Sequence, residues 1–222
     1  MNILTGFSQI DGIIKGLRPG ELTVIAGRPG MGKTTLCWSL ATNIKEYGKK
    51  VCVVALNEGI IGNCYPNGID VYNYRYPGLP LVKYFKIIYE YTIPEKKYDV
   101  ILFTALYPAN RKDAFDIYSK LKAFAVAKDV AIVIETAVNK SVERLEDRHP
   151  DIEHIEHFAT IEEYVDNVLI VYRDGYYNAD ADNSIFEVIV AKNKAGRLGT
   201  AVLKFEVVEV QMTVTTPKIT AE

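Results

Sequence analysis

Eight residues near the amino terminus have the types and spacing needed to bind nucleotide phosphates. They read Gly27-Arg28-Pro29-Gly30-Met31-Gly32-Lys33-Thr34, which fits the pattern G-x-x-x-x-G-K-T. Glycines at these positions adopt backbone conformations that a Cβ atom disfavours, so successive N–H groups converge on phosphate oxygens. In this motif the lysine reaches the β- and γ-phosphates and the threonine hydroxyl ligates Mg²⁺. The sequence therefore predicts a P-loop.

A loop of this kind functions between a buried strand and the first turn of a helix. Residues 22–26 form an apolar run typical of a buried strand. Apolar side chains then recur at helical spacing from Thr34 until Gly48, a favourable residue for ending a helix. Strand, loop and helix follow in the order that the motif requires. A glycine-rich turn that binds nothing is the alternative interpretation, and this context disfavours it.

The rest of the chain alternates between strand and helix patterns. The further predicted elements are strands at 51–56, 100–104, 130–134 and 167–172, helices at 81–91 and 113–128, and a hairpin at 185–192 and 200–208. Residues 2–20 are a lead-in, 57–80 a loop or short strands, and the segment from Gln211 either disordered or an edge strand. This order predicts an α/β fold: a mostly parallel sheet with helices on both faces and a C-terminal antiparallel hairpin.

Composition limits the class of protein. Of 222 residues, 49% are hydrophobic and the formal net charge is −2, which suits one apolar core and excludes a strongly basic footprint for nucleic acid over the whole chain. The three cysteines lack metal-ligand spacing, and no run has the pattern of a signal peptide or a membrane span. We expect a cytoplasmic protein with no membrane partner.

Several segments resemble the C-terminal RecA-like ATPase domain of DnaB-type replicative DNA helicases. The matching segments are Thr5-Gly6-Phe7, 16–22, 26–34, 139–150, 168–174 and 191–200. The resemblance spans roughly residues 4–206 and implies a RecA-like P-loop domain over 1–210 with a tail over 211–222. We expect the family's separate N-terminal domain to be missing. The segment between the second and third strands is shorter than is usual in the family.

The resemblance implies a site that binds ATP and Mg²⁺. The residues that would contact the nucleotide or its metal are Gly27, Arg28, Pro29, Gly30, Met31, Gly32, Lys33, Thr34, Thr35, Arg173 and Lys192, with Thr34 on the metal. The catalytic residues would be Lys33, Thr34, Glu58 and Lys194. Lys192 and Lys194 would reach the γ-phosphate held by a neighbouring subunit, in a homo-oligomeric ring or in a mixed ring with helicase subunits.

Four positions depart from the family pattern at the groups that drive hydrolysis. Thr104 stands in place of the Asp that holds Mg²⁺ at the end of the third strand, Asn57 in place of the catalytic Glu, Ala137 in place of the sensor Gln, and Lys194 in place of the arginine finger. Glu58, next to Asn57, could substitute only through a one-residue slip, and strand alternation would point it elsewhere. A lysine supplies charge but not the planar fork of arginine.

No carboxylate in the sequence clearly replaces the one missing from the third strand. Asp99 lies at the strand's other end, about 16 Å away over five residues. Glu135 lies on the fourth strand, two positions before Ala137. With Thr104 in the metal-holding position, Mg²⁺ would rely on Thr34, the phosphates and water. We expect nucleotide binding to survive and hydrolysis to be impaired.

The segment expected to contact single-stranded DNA is acidic. In residues 154–160, Glu156 stands where the family has an Arg, and acidic loops repel phosphates. A solvated acidic face unrelated to DNA is the alternative. The sequence thus predicts a DnaB-like helicase ATPase domain that acts in DNA replication with impaired hydrolysis. The alternative is a non-hydrolysing nucleotide-binding adaptor or regulatory subunit. The P-loop signature disfavours a stand-alone regulatory ATPase.

Overall fold

The computed structural model describes residues 1–56, 68–73, 97–208 and 211–215. Its strands are β1 (Leu22–Gly27), β2 (Val51–Ala55), β3 (Asp70–Asn73), β4 (Val100–Thr104), β5 (Ala131–Ala137), β6 (Asn167–Tyr172), β7 (Ile185–Asn193), β8 (Gly199–Val208) and β9 (Gln211–Thr215). They form one sheet in the order β3-β2-β4-β5-β1-β6-β7-β8-β9. The pairs from β3 to β6 are parallel, and those from β6 to β9 are antiparallel.

Helices cover both faces of the parallel half. They are α1 (Ser8–Ile14), α2 (Lys33–Glu46), α3 (Arg111–Lys128) and α4 (Phe158–Ile161), with 3₁₀ turns at Lys140–Arg144, Ile152–His154 and Asp174–Tyr176. Every residue of β1, β2 and β4 is buried, as parallel strands between two layers require. Successive side chains of a strand point to opposite faces of the sheet, so the core has two parts. Val24 of β1 packs with α3 on one face, and Ile25 packs with α1 and α2 on the other.

The predicted fold class is confirmed by this mostly parallel sheet and its C-terminal antiparallel strands. The helix predicted at 113–128 begins two residues earlier, because Asn110 accepts a hydrogen bond from the Asp113 N–H and caps it. The strand predicted at 130–134 is wrong in extent: β5 continues to Ala137, which places Glu135 inside it. The helix predicted at 81–91 lies outside the described residues.

Three segments were less clear in the sequence. The lead-in contains α1, seven residues whose Ile10, Ile13 and Ile14 are buried. The stretch predicted as loop or short strands contains β3. The segment from Gln211 begins as β9, which pairs with β8, so the edge-strand alternative holds for its first residues. Among the described residues, no helix has both the length and the apolar composition to cross a membrane.

Candidate nucleotide-binding site

The predicted phosphate loop connects the carboxyl end of β1 to the first turn of α2. Gly30 and Gly32 have φ angles of 80° and 94°, in the left-handed region that favours glycine. Gly32 immediately precedes α2, and no side chain among the described residues caps that helix. The first N–H groups of α2 are therefore free of side-chain caps and point where an anion would bind.

Aromatic side chains from the antiparallel strands and their connection support this loop. A Cβ atom on Gly32 would overlap the ring of Phe205, and one on Gly30 would lie 2.8 Å from Cε2 of Tyr176. Phe205 itself stacks on Phe186, with ring centroids 4.2 Å apart. The two glycines are thus required by both conformation and space.

Replacing Gly32 with Ala is expected to distort the loop and destabilise the protein. The left-handed φ costs about 1–2 kcal/mol for a residue with a Cβ, and overlap with Phe205 adds about 1–3 kcal/mol. Urea denaturation would measure the loss, and calorimetry would measure a parallel fall in nucleotide affinity. Gly12→Ala is the matched control, because Gly12 is exposed in α1 and an added Cβ would have nothing within 4 Å beyond its chain neighbours and the backbone of its own helix. Equal effects of the two variants would contradict this account of the loop.

Lys33 is the buried cation of the site. Only 5% of the residue is exposed, and its Nζ donates to the carbonyl of Arg28 across the loop at 3.2 Å. Burial lowers the pKa of Lys33, and the charge of nearby Glu135 opposes that change. A cation held out of water next to free N–H groups suits a polyphosphate.

The Thr34 hydroxyl donates a hydrogen bond to Oε1 of Glu135 at 2.7 Å. Glu135 is 1% exposed, and its second oxygen, Oε2, has no hydrogen-bond partner among the described residues. Burial raises the pKa of Glu135, while the Thr34 hydroxyl, the Lys33 charge and the nearby backbone of Ala105 oppose the rise. Sequence reasoning noted this carboxylate without assigning it to the site. Its one signal in the sequence was an acidic residue directly after the apolar run of the fourth strand.

The sheet register explains why Glu135 meets the P-loop. β5 lies between β4 and β1, and Glu135 pairs with Ile25 of β1. On the other side Phe103 of β4 pairs with Ile134, so Thr104 and Glu135 are next to each other in adjacent strands. The carboxylate therefore lies one strand nearer to the P-loop than the position of Thr104.

The other residues that the sequence analysis considered for hydrolysis take no part in the contact between Thr34 and Glu135. Asp99 accepts a hydrogen bond from the Lys50 N–H at 2.8 Å, at the edge of the sheet where β4 begins. Ala137 is the last residue of β5. Asn57 and Glu58 lie outside the described residues.

The remaining residues of the predicted loop differ in exposure. Gly27 ends β1, and the stem of Lys33 passes over it. Pro29 is exposed, Met31 is buried in the core, and Thr35 is half-buried in the first turn of α2. Because Gly27 has no side chain and the Met31 side chain is buried, any contact of these two residues with a ligand would be made by the backbone.

Two arginines border the loop. Arg28 pairs with Glu143 at 2.6 Å and donates to the carbonyl of Val138 at 3.0 Å. Arg173 donates to the carbonyl of Gly30 at 2.7 Å, and its Nε is buried with no hydrogen-bond partner in the described part of the chain. Burial lowers the pKa of Arg173. Arg173 is therefore the arginine with an unused donor beside the loop.

The two predicted trans-acting lysines lie at the opposite edge of the sheet. Lys194 binds Asp166 at 3.0 Å, and Lys192 donates to the carbonyl of Glu162 at 2.7 Å. Asp166 also accepts from the N–H of Leu22, the first residue of β1, whereas the P-loop follows the strand's other end. Neither lysine reaches this chain's own P-loop, so any role at a γ-phosphate requires a second subunit.

The segment predicted to face DNA is folded against the core. Ile155 and Phe158 are buried, while Glu156 is exposed. Within the described ranges, no group of three or more His, Cys, Asp and Glu side chains is placed to hold a metal ion. A metal ion at the P-loop would therefore need ligands from the nucleotide and from water in addition to any that the chain supplies.

Comparisons with family models and with curated proteins agree on one family. The model of the DnaB-like helicase C-terminal domain matches residues 2–59 and 104–212. Replicative DNA helicase DnaB of Geobacillus stearothermophilus is 26% identical, over 91% of this chain and 54% of its own length. Replicative DNA helicase DnaC of Bacillus subtilis (strain 168) is 25% identical, over 91% of this chain and 54% of its own length. The chain spans about half the length of the curated relatives it matches.

Solved structures show the same fold. One, of a DnaB-like replicative helicase and its interactions with primase, has a TM-score of 0.82 at 20% identity and covers 98% of this chain and 64% of that chain. Another, of an ATPase domain, has a TM-score of 0.78 at 21% identity and covers 92% of this chain and 88% of that chain.

Proposed function

The chain belongs to the DnaB-like helicase C-terminal domain family, and from this we propose that it binds ATP with Mg²⁺ and acts in DNA replication as a helicase ATPase domain. The observation that carries the proposal is the P-loop itself. Gly30 and Gly32 take left-handed conformations before an α2 whose first N–H groups no described side chain caps. Lys33 places a buried cation beside them, where the β- and γ-phosphates would bind.

The same site suits the metal that accompanies ATP. Mg²⁺ bound with the nucleotide would neutralise charge on the β- and γ-phosphates. Thr34 would ligate it through its hydroxyl, which already lies against the buried carboxylate of Glu135. The unpartnered Oε2 of that carboxylate supports the fit, because a buried acceptor without a partner is costly unless something binds it.

We further propose that hydrolysis is impaired. Thr104 brings no carboxylate to the end of β4, and Ala137 has no group that could polarise an attacking water. Lys194, in the arginine-finger position, carries one charged group without the bidentate geometry of a guanidinium. An arginine finger contributes several orders of magnitude to turnover, so its replacement by a lysine is expected to slow hydrolysis.

A non-hydrolysing adaptor or regulatory subunit is the second candidate, and one observation favours it. Lys194 is engaged within its own chain, at 3.0 Å from Asp166 and 3.9 Å from Glu21. Reaching a neighbour's phosphate would require breaking the contact with Asp166. Both candidates share nucleotide binding and differ in turnover.

Steady-state ATP hydrolysis distinguishes the two candidates. As a poorly active ATPase, the wild type is expected to turn over well below the ~1–1000 s⁻¹ of ordinary enzymes, but above a Lys33→Ala control. Turnover equal to that control, with ATP binding intact in calorimetry, would favour the adaptor. Turnover within the ordinary range would contradict impaired hydrolysis. The assay is run with and without single-stranded DNA. Faster ATP hydrolysis in the presence of DNA would show that the acidic segment near Glu156 does not prevent DNA binding.

The proposal extends to assembly. We propose that residues 1–210 act as one ATPase domain, with β9 extending its sheet, and that it joins a homo-oligomeric ring or a mixed ring with helicase subunits. Lys192 and Lys194 support a ring, because they lie at the sheet edge away from the P-loop of their own chain. Sedimentation with and without ATP would measure the assembly.

A further inference from the structure

We propose that Glu135 replaces the metal-holding carboxylate that Thr104 lacks, so that Thr34 and Glu135 together hold the Mg²⁺ of bound nucleotide. The inference rests on the proposed nucleotide-binding function and deepens it by assigning the metal's protein carboxylate. It moves that carboxylate from β4 to the neighbouring strand, β5.

Position is the first argument. Strands lie about 4.8 Å apart, and β5 is one strand nearer to β1 than β4 is. Glu135 pairs with Ile25, two residues before Gly27 at the end of β1. Because Glu135 lies level with Ile25 and not with the end of β1, its side chain must be long to reach the loop. Glu is one methylene longer than the Asp that the family has in β4. The hydrogen bond of 2.7 Å from Thr34 shows that it does reach.

The unused oxygen is the second argument. Oε1 accepts from Thr34, while Oε2 is buried and has no hydrogen-bond partner in the described residues. A carboxylate 1% exposed with one oxygen unpaired is expensive in a folded protein. It also lies beside the threonine that ligates Mg²⁺ in this motif. A metal ion with its water shell would satisfy Oε2, because Mg²⁺ binds oxygen and keeps several waters.

The alternative is that Glu135 only anchors Thr34. Glutamine would preserve that anchor, because its carbonyl oxygen accepts the same hydrogen bond, but it carries no charge for a metal. Glu135→Gln therefore separates the two roles. The added Nε2–H₂ group occupies the volume of Oε2, so the core packing is kept.

The test measures metal affinity and nucleotide affinity separately. Wild type, Glu135→Gln and an exposed-site control, Glu163→Gln, are titrated with a non-hydrolysable ATP analogue in EDTA, and each complex is then titrated with Mn²⁺ followed by electron paramagnetic resonance. We expect Glu135→Gln to bind the analogue in EDTA within about twofold of wild type, and to bind Mn²⁺ about 10–100-fold more weakly. Glu163→Gln is expected to match wild type.

A second variant tests the move between strands. Adding Thr104→Asp to Glu135→Gln returns a carboxylate to the end of β4 and is expected to recover most of the lost Mn²⁺ affinity. Pulsed resonance on wild type labelled with ¹³C-glutamate gives a readout that needs no folded variant: a coupling between Mn²⁺ and a glutamate carboxylate carbon is expected.

Three results would overturn the assignment. The first is an unchanged Mn²⁺ affinity in Glu135→Gln. The second is loss of analogue binding in EDTA by that variant, which would make Glu135 a structural support of the loop. The third is absence of the ¹³C coupling in wild type with the analogue and Mn²⁺ bound. Failure of wild type to bind the analogue at all would refute the proposed function instead, so the two failures are distinguishable.

Discussion

Replacing Lys33 with Ala is expected to abolish measurable nucleotide binding, with a loss of affinity of at least about 100-fold. Only 5% of the residue is exposed, and in this motif the ammonium group lies where the β- and γ-phosphates bind. Truncating one partner of a buried, hydrogen-bonded charge pair costs about 2–5 kcal/mol, and 1.4 kcal/mol is tenfold in affinity. Isothermal titration calorimetry with ATP and Mg²⁺ measures the loss.

The Lys33 variant is not expected to unfold the protein. In the absence of nucleotide, the buried ammonium donates only one hydrogen bond to the described residues, to Arg28. Burial penalises the charge, as the lowered pKa of Lys33 indicates. Removing the ammonium relieves this penalty but also takes away the charge that opposes the raised pKa of Glu135, so the melting temperature should change little. Lys45→Ala, in the last turn of the same helix, is the control and should bind like wild type. Affinity of Lys33→Ala within threefold of wild type would refute nucleotide binding at this loop.

Replacing Asp166 with Ala is expected to destabilise the protein by about 2–3 kcal/mol. Its carboxylate is 8% exposed and accepts from the Leu22 N–H at 2.8 Å, Lys122 at 2.5 Å and Lys194 at 3.0 Å. Breaking a fully buried ion pair costs about 3–5 kcal/mol, and the partial exposure of both lysines reduces this figure. Urea denaturation measures the change. Asp180→Ala, in an exposed turn, should change stability by less than about 0.5 kcal/mol.

The contribution of Asp166 should depend on pH. Burial alone would raise the pKa of Asp166, but the hydrogen bonds from Lys122, Leu22 and Lys194 outweigh it and hold the pKa below its ordinary value. Because the folded pKa is the lower one, the stabilisation is complete above the unfolded pKa of about 4 and disappears as pH falls through the folded value. Wild type and Asp166→Asn should therefore converge in stability below about pH 4. A difference that is constant from pH 7 to pH 3 would contradict this account.

The local part of the site could be predicted from sequence. The P-loop is a run of eight residues whose chemistry depends on spacing along the chain, so Lys33 and Thr34 were identified directly. The α/β order followed from periodicity because apolar runs and helical patterns are local signals. The short helix α1 was not predicted, because seven residues give too few turns for periodicity to distinguish a helix.

The contacts that decide the chemistry are not local. Thr34 and Glu135 are 101 residues apart, and they meet only because β5 extends to Ala137 and pairs with β1 in one register. A shift of that register by one residue would turn the Glu135 side chain to the other face of the sheet. The ion pair between Lys194 and Asp166 likewise depends on the antiparallel pairing of β6 and β7. No spacing rule in the sequence indicates either contact.

The most direct test of the central claim is a crystal structure of the protein with a non-hydrolysable ATP analogue and Mn²⁺, with the metal located by its anomalous scattering. We predict the phosphates at the N-terminus of α2 against Lys33, and Mn²⁺ on the Thr34 hydroxyl. Glu135 should be the nearest protein carboxylate, about 4 Å from the metal through a bound water. A metal held by another carboxylate, or a nucleotide bound away from the P-loop, would contradict it.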